Sequence, residues 1–209
     1  MQLSGIIVGL GNPGSEYALT RHNFGFMLVD ALLNYARDSR FGSVEKISAP
    51  KGKFELWKAW LNPAPELPWL FIKPLTYMNL SGQAVRPVMD YYNIPTEDMI
   101  VLHDEMDLPI GRMRFKFGGS SAGHNGIKSL VQELGTPDFY RLRLGIGKRG
   151  PEGAVKHVIG RFAKAEEDSV ARVLSEAGEA LVRFKSAGFS ATQEAINGFK
   201  LPGDVESKL

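Results

Sequence analysis

The 209-residue sequence contains no cysteine, and no stretch of it is apolar enough to cross a membrane. Without cysteine there are no disulfides, no thiolate nucleophile and no cysteine-based zinc site, which fits the reducing cytoplasm. A membrane span needs about 20 consecutive apolar residues. A secretory signal is not expected either, because the glycines of residues 9–14 interrupt the first apolar run. We therefore expect a cytoplasmic protein with no membrane partner.

The sequence also lacks a large excess of one charge, and its net charge of +2 gives no overall sign of nucleic-acid binding. The distribution of the cations is more informative, since residues 112–117 alternate cations with apolar residues. A strand there would bury Met113, Phe115 and Phe117 and present three cations on its other face. Residues 141–144 repeat the pattern. The two stripes allow two interpretations, a solvated strand face or a local phosphate-binding surface.

Short apolar stretches alternate with helical patterns along the sequence. The stretches are rich in β-branched and aromatic residues, which favours strands. Alternation of strands with helices predicts an α/β fold whose open, largely parallel sheet carries helices on both faces. The length fits a single domain over residues 1–209, with a mobile tail at about 200–209. The predicted strands include residues 6–8, 54–61, 69–73, 99–102 and 139–146, and the longest predicted helix covers 163–185.

The strand at residues 6–8 leads through the glycine-rich loop 9–14 to a predicted helix that carries His22 in its first turn. Thr20 is a candidate N-cap for this helix. The partial positive charge at a helix N-terminus disfavours a second positive charge, so the imidazole is expected to stay neutral and usable as a base. A lone histidine in this position could equally pack or cap.

The loops after other predicted strands add polar side chains that are expected to meet His22 at one edge of the sheet. Asp104 would orient the imidazole of His22 and stabilise its cation, while amides would donate to an oxyanion. Because no Gly-x-Ser-x-Gly motif is present, direct attack by water on a carbonyl is predicted. The other polar residues of these loops are Asn12, Tyr77, Asn79, His124 and Asn125.

Five blocks of the sequence stand out together. They are VGLGNPGSEYALTRHNFGFMLVD, KPLTYMNLSGQAV, HDEMDLPIGRMRFKFGG, AGHNGIKSL and RLRLGIG. In this order they resemble the signature blocks of bacterial peptidyl-tRNA hydrolases, and the resemblance extends over about residues 5–200. It implies a single α/β domain around a twisted mixed sheet. It also implies cleavage of the ester between a peptide and the 3′-terminal ribose of tRNA, which recycles tRNA from peptidyl-tRNA released during translation.

The resemblance assigns roles residue by residue. His22 in TRHN resembles the catalytic base, and Asp104 in HDE resembles the carboxylate that supports it. Asn12 in GNPG resembles the residue that separates N-blocked peptidyl-tRNA from free aminoacyl-tRNA. We expect the acceptor end of peptidyl-tRNA as partner, a monomer without an obligate protein partner, no cofactor and no metal. The remaining matches are the substrate-contacting positions Tyr17, Tyr77, Asn79 and Asn125, and the tRNA-phosphate surface of Arg114 and Lys116.

Two positions depart from the family pattern. Tyr77 stands where the family most often has phenylalanine, so the aromatic face for stacking is kept. The loop before His124 reads SSAG, where the family usually has more glycine. Ser121 and Ala122 therefore leave the conformation of this loop open.

Three other functions are compatible with parts of the sequence. The segment GLGNPG fits the dinucleotide-binding pattern Gly-x-Gly-x-x-Gly, but Pro13 and the loop to Leu19 delay the helix, and Asp30 falls inside it. NAD that raised the melting temperature would favour this alternative. Two histidines and three carboxylates within residues 103–124 could bind a metal, although their spacing fits no standard zinc motif. A plain RNA-binding module would bind tRNA without cleaving it.

Overall fold

The structure is a computed structural model that describes residues 2–39, 43–48, 52–62, 66–148 and 153–202. The predicted mobile tail, 200–209, lies outside the described residues from position 203 onwards. Within the described ranges, seven strands form one sheet in the order β2-β3-β4-β1-β5-β7-β6. The strands are β1 Gly5–Gly9, β2 Val44–Lys46, β3 Phe54–Ala59, β4 Trp69–Pro74, β5 Met99–Glu105, β6 Met113–Phe117 and β7 Tyr140–Gly145.

The parallel pairings lie at the centre of the sheet. Strand β1 runs parallel to both β4 and β5, and β5 runs parallel to β7. The pairings of β2 with β3, β3 with β4 and β6 with β7 are antiparallel. Every residue of β1 and β5 is buried, as expected for parallel strands covered on both faces. The predicted mixed α/β sheet is confirmed, and its parallel part is this group of four strands.

Helices cover both faces of the sheet. Side chains of α1, α5 and α6 build one apolar cluster with Ile7, Phe71 and Ile100, whereas α2 and α3 build another with Ile6 and Val101. The predicted helix at 163–185 is found as the 3-10 turn Lys164–Glu166, the helix Glu167–Val182 and the first two residues of the helix Phe184–Gly198. No helix among the described residues has both the length and the apolar character to cross a bilayer. The helices are α1 Phe24–Asp38, α2 Ser81–Tyr92, α3 Asn125–Leu134, α4 Ala154–Ile159, α5 Glu167–Val182 and α6 Phe184–Gly198.

The start of α1 lies in direct backbone contact with the centre of the sheet. A Cβ atom on Gly25 would lie 2.2 Å from the carbonyl oxygen of Leu102 on β5, and one on Gly9 would lie 2.7 Å from the carbonyl oxygen of Gly25. No side chain fits at either glycine. This contact sets the 3-10 turn Arg21–Asn23, which precedes α1, against the end of β5.

The segment between β1 and α1 differs from a dinucleotide-binding turn. The glycines of residues 9–14 do not open a helix, because α1 begins only at Phe24. Thr20 has the extended backbone of an N-cap, but its hydroxyl donates to the carbonyl of Tyr17 at 2.8 Å and makes no cap hydrogen bond. The geometry required for a pyrophosphate at a helix N-terminus is therefore missing here.

Candidate active site

His22 and Asp104 are 82 positions apart in sequence and meet where β1 and β5 end. The Nδ1 atom of His22 lies 2.8 Å from Oδ1 of Asp104. The sequence predicts Asp104 in the loop after β5. Strand β5 in fact continues to Glu105, so Asp104 lies within the strand. The side chain of Asp104 is 3% exposed and that of His22 is 13% exposed. The carboxylate therefore lies beneath a partly accessible imidazole.

A second imidazole binds the same carboxylate oxygen, and the sequence interpretation gave it no role. Nε2 of His124 lies 2.9 Å from Oδ1 of Asp104. Its Nδ1 accepts hydrogen bonds from the backbone N–H groups of Gly126 and Ile127, at 3.2 and 3.4 Å, and so caps α3. Because an accepting nitrogen carries no proton, neutral His124 has its proton on Nε2 and donates it to Asp104. The sequence does show that His124 directly precedes an apolar helical pattern, which is the position of a capping residue.

These contacts determine which nitrogen of His22 is available for chemistry. Burial alone would raise the pKa of Asp104, but its interactions with His124, followed by those with His22, hold that pKa well below its usual range. The ionised carboxylate can only accept, so Nδ1 of His22 donates to it. Nε2 of a neutral His22 then keeps its lone pair, as a general base requires.

A third imidazole, that of His103, packs beneath His124. The two rings meet edge to face with centroids 4.8 Å apart, and Nδ1 of His103 donates to the backbone carbonyl of Asp104 at 2.8 Å. Burial, reinforced by His124, lowers the pKa of His103 well below its ordinary value. A neutral and buried His103 therefore supports the ring above it without facing substrate.

Among the described residues, the groups that could hold a metal ion are His22, Asp104 and His124, whose candidate ligand atoms lie within 4.8 Å of one another. Both imidazole nitrogens in this cluster are hydrogen-bonded to the same carboxylate oxygen. A metal ligand has to be deprotonated, whereas these nitrogens need their protons to donate. Glu105, another candidate ligand from the sequence, is bound to Arg143 at 2.7 Å. The contacts favour a hydrogen-bonded array over a metal centre.

A pocket of about 120 Å³ opens above Asp104. A water molecule occupies about 30 Å³ in the liquid, so the pocket has room for a water and a small reacting group. Ala122 has φ of +47°, a left-handed conformation that costs an alanine about 1–2 kcal/mol, so the SSAG loop keeps a glycine-like turn. The lining residues are His22, Asp104, Glu105, Met106, Ala122, His124, Asn125, Ala154, Val155 and Val158.

Asn12 connects the loop after β1 with two neighbouring turns. Its Oδ1 accepts from the backbone N–H of Met78 at 2.9 Å. The side chain of Asn23 accepts from the backbone N–H of Asn12 at 2.8 Å and donates to its carbonyl at 3.0 Å. Asn12 is thereby fixed beside the turn that carries His22, and its Nδ2 group is left to donate to a substrate.

The other predicted substrate-contacting residues are distributed in and around the pocket. Asn125 lines it, whereas Tyr17, Tyr77 and Asn79 do not. Tyr77 is 62% exposed and directly precedes the 3-10 turn that contains Asn79, and this turn packs against α3. Tyr17 is half-buried in the turn between β1 and His22. The pocket therefore contains one of these four predicted positions, Asn125, among its lining residues.

The predicted tRNA-phosphate residues lie on the edge strand β6. Arg114 and Lys116 are in register with Arg143 and Arg141 of β7, so four cations share one face of the sheet. Arg114 is exposed and Lys116 is half-buried. Burial, followed by the charges of Arg141 and Arg143, lowers the pKa of Lys116. A bound anion would relieve this crowding of positive charge.

Two features of the basic stripes differ from the sequence interpretation. Met113 and Phe115 are buried as predicted, but Phe117 at the end of β6 is 41% exposed. Arg141 does not reach the surface, because its guanidinium donates to the carbonyls of Gly119 and Ser120, each at 2.7 Å. Arg141 therefore holds the loop ahead of His124 and is not available to phosphate.

Comparison with known proteins gives a consistent result along the whole chain. The family model for peptidyl-tRNA hydrolase matches residues 6–204. The chain is 49% identical over 201 residues to a peptidyl-tRNA hydrolase of Nitratidesulfovibrio vulgaris, covering 96% of this chain and 100% of that relative. It is 49% identical over 198 residues to that of Oleidesulfovibrio alaskensis, covering 94% and 98%.

Solved structures give the same answer. The crystal structure of a peptidyl-tRNA hydrolase with n-propanol has a TM-score of 0.85 at 33% identity, covering 97% of this chain and 100% of that one. The enzyme from Acinetobacter baumannii has a TM-score of 0.84 at 33% identity, covering 96% of this chain and 98% of that one.

Proposed function

The chain belongs to the peptidyl-tRNA hydrolase family, and from this premise we propose that His22 is the general base that activates water against the ester of peptidyl-tRNA. The observation that carries this assignment is the 2.8 Å contact from Nδ1 of His22 to the buried carboxylate of Asp104, which leaves Nε2 towards the pocket. The test is release of deacylated tRNA from N-acetyl-aminoacyl-tRNA by the native chain and by single-residue variants.

In the proposed reaction a proton moves first from water to His22 and then from His22 to the leaving ribose oxygen. Nε2 of His22 takes a proton from water, and the hydroxide attacks the ester carbonyl to form a tetrahedral oxyanion. Asp104 supports the imidazolium that forms, and an asparagine amide of the site donates to the oxyanion. The intermediate collapses as the bond to the 3′ ribose oxygen breaks, and the imidazolium returns its proton to that oxygen. The products are deacylated tRNA and the free peptide, whose new carboxylic acid then loses its proton to solvent.

Asn12 is proposed to recognise the N-blocked end of the substrate. Its Oδ1 is engaged by Met78, so its Nδ2 is the group that would donate to the acyl carbonyl of the blocked amine. We expect Asn12→Ala to reduce the preference for N-acetyl-aminoacyl-tRNA over aminoacyl-tRNA by about tenfold, the value of one hydrogen bond of about 1.4 kcal/mol. The measurement is the ratio of kcat/KM for the two substrates. An unchanged ratio with a uniformly lower rate would show a structural role only.

Arg114 and Lys116 are proposed to contact tRNA phosphates. Each phosphate contact releases a counterion, so we expect Lys116→Ala to weaken tRNA binding and to reduce the slope of log affinity against log salt by about 1. The same result is expected for Arg114→Ala. Binding of deacylated tRNA over a salt series measures both quantities, and Lys185→Ala, in the ion pair with Asp98, serves as control. Parallel salt curves for native and variant chains would refute the contact.

We also propose that the whole chain acts as one monomeric domain in the cytoplasm. Five of the described helices contribute buried side chains to the two clusters on the faces of a single sheet, which supports one domain. The absence of cysteine supports a reducing compartment.

A further inference from the structure

Arg21, directly before His22, binds a neighbouring segment that lines the same pocket. We call residues 153–166, which include α4, the wall segment. Three residues of α4, Ala154, Val155 and Val158, line the pocket together with His22. Yet α4 buries no residue of its own, and Val155 is 74% exposed. Its packing on the core is limited to the partly buried Val158, so its position also depends on polar attachments.

One attachment is His157, whose Nε2 donates to the carbonyls of Ile146 and Gly147 at 3.1 and 3.0 Å, just after β7. Arg21 makes three further attachments to the wall segment. Its backbone N–H donates to the carbonyl of Gly160 at 2.9 Å, and its guanidinium donates to the carbonyl of Arg161. The guanidinium also binds both carboxylate oxygens of Glu166, at 2.7 and 3.1 Å.

The environment of Arg21 makes these contacts well defined. The side chain is only 12% exposed, and its guanidinium lies 4.9 Å from the ring centroid of Phe162. Phe162 in turn packs edge to face on Phe24, the first residue of α1. Glu166 also accepts from the backbone N–H of Ala163 at 2.6 Å, which fixes its carboxylate. One guanidinium nitrogen contacts both carboxylate oxygens, and a charge-assisted pair of this kind is better defined in a partly buried setting than an exposed ion pair.

We propose that Arg21 is a positioning residue for the hydrolysis assigned above. Through Glu166 and the carbonyls of the wall segment, it holds α4 against the pocket at the distance set by the turn that carries His22. This inference rests on the proposed function of His22 but assigns a role to a different side chain, that of Arg21. Arg21 neither touches the reacting atoms nor binds tRNA phosphate, because its guanidinium is occupied by Glu166 and Arg161.

The test compares Arg21→Ala, Glu166→Ala, the double variant and Arg21→Lys. We expect Arg21→Ala to lower kcat by about tenfold, since a wall displaced by less than 1 Å misplaces the substrate. Glu166→Ala should lower kcat less, Arg21→Lys should restore part of the loss, and the double variant should be no slower than Arg21→Ala. Affinity for deacylated tRNA and its salt dependence should stay native. Amide hydrogen exchange in residues 153–166 should rise in both single variants.

The matched control is Arg86→Ala. Arg86 makes the same set of contacts, two to the carboxylate of Asp90 at 2.8 Å and one to the carbonyl of Glu133 at 3.0 Å, but on the exposed side of α2. The Arg86→Ala variant should keep native kcat and native amide exchange.

The proposal is overturned if Arg21→Ala keeps native kcat or if its amide exchange does not change. It is also overturned if the loss of kcat in the double variant equals the product of the losses in Arg21→Ala and Glu166→Ala. A shallower salt dependence in Arg21→Ala would instead make Arg21 a phosphate contact. Turnover by the native chain tests the proposed function separately.

Discussion

Replacement of His22 by alanine is expected to lower kcat for N-acetyl-aminoacyl-tRNA by about 10²–10⁴-fold, the usual contribution of a general base. The structure gives the reason, because His22 lines the pocket and its Nδ1 is bound to Asp104, which leaves Nε2 as the unprotonated nitrogen. Binding of deacylated tRNA should stay close to native, since the cations of β6 lie outside this pocket. Single-turnover release of tRNA measures the chemical step, and a binding titration measures the affinity.

A second substitution separates a chemical role of His22 from a structural one. In His22→Asn, the side-chain amide can still donate a hydrogen bond to Asp104, but it cannot accept a proton from water. We expect His22→Asn to be as slow as His22→Ala. Recovery of activity in His22→Asn would mean that the imidazole only holds Asp104 in place, and equal losses of turnover and tRNA affinity would argue against the assigned role.

Replacement of Asp104 by asparagine is expected to lower kcat by about 10²-fold or more, with a small effect on tRNA affinity. The carboxylate accepts from two imidazoles through one oxygen, at 2.8 and 2.9 Å. An amide oxygen at the same position can still accept from both imidazoles, but the neutral amide has no charge with which to stabilise the imidazolium that forms on His22. Pre-steady-state kinetics of the variant measures this loss.

The same substitution has a consequence for stability against pH. The pKa of Asp104 is held below its unfolded value of about 3.9, so the ionised carboxylate stabilises the folded state above that pH. This contribution fades as the pH falls through about 4 towards the folded pKa. The difference in free energy of unfolding between native and Asp104→Asn should therefore be constant above about pH 5 and shrink in acid. Urea titrations at several pH values measure it, and a difference that grew in acid would contradict the assignment.

The meeting of His22 and Asp104 could be predicted from the sequence because it depends on a general property of parallel strands. Strands β1 and β5 are apolar runs rich in β-branched residues, and both are followed by polar residues. Side chains at the ends of neighbouring parallel strands gather at one edge of the sheet. The structure adds the distance and the depth at which Asp104 lies, and neither has a local signature.

Arg141 shows why other features of the site could not be predicted from the sequence. It alternates with apolar neighbours just as Arg143 does, and both side chains lie on the same face of the sheet. Alternation identifies the face but does not tell whether another segment covers it. Here the loop at Gly119 covers Arg141, whereas Arg143 remains partly exposed. His124 was expected at this edge but had no catalytic role, and Arg21 had no predicted role, because no pattern in the sequence identifies their partners, which are 20 and 145 positions away.

The glycine contact at the start of α1 has a consequence for how precisely the site is built. Helix and sheet touch through main-chain atoms at Gly25 and Leu102, so no side-chain rotamer lies between the two elements that present the imidazole and the carboxylate. Even one methyl group at Gly25 would have to separate them by roughly 1 Å, a displacement that can cost about 10²-fold in rate. The distance between the imidazole and the carboxylate is thus set by the positions of the two backbones and not by a side chain that could change its rotamer.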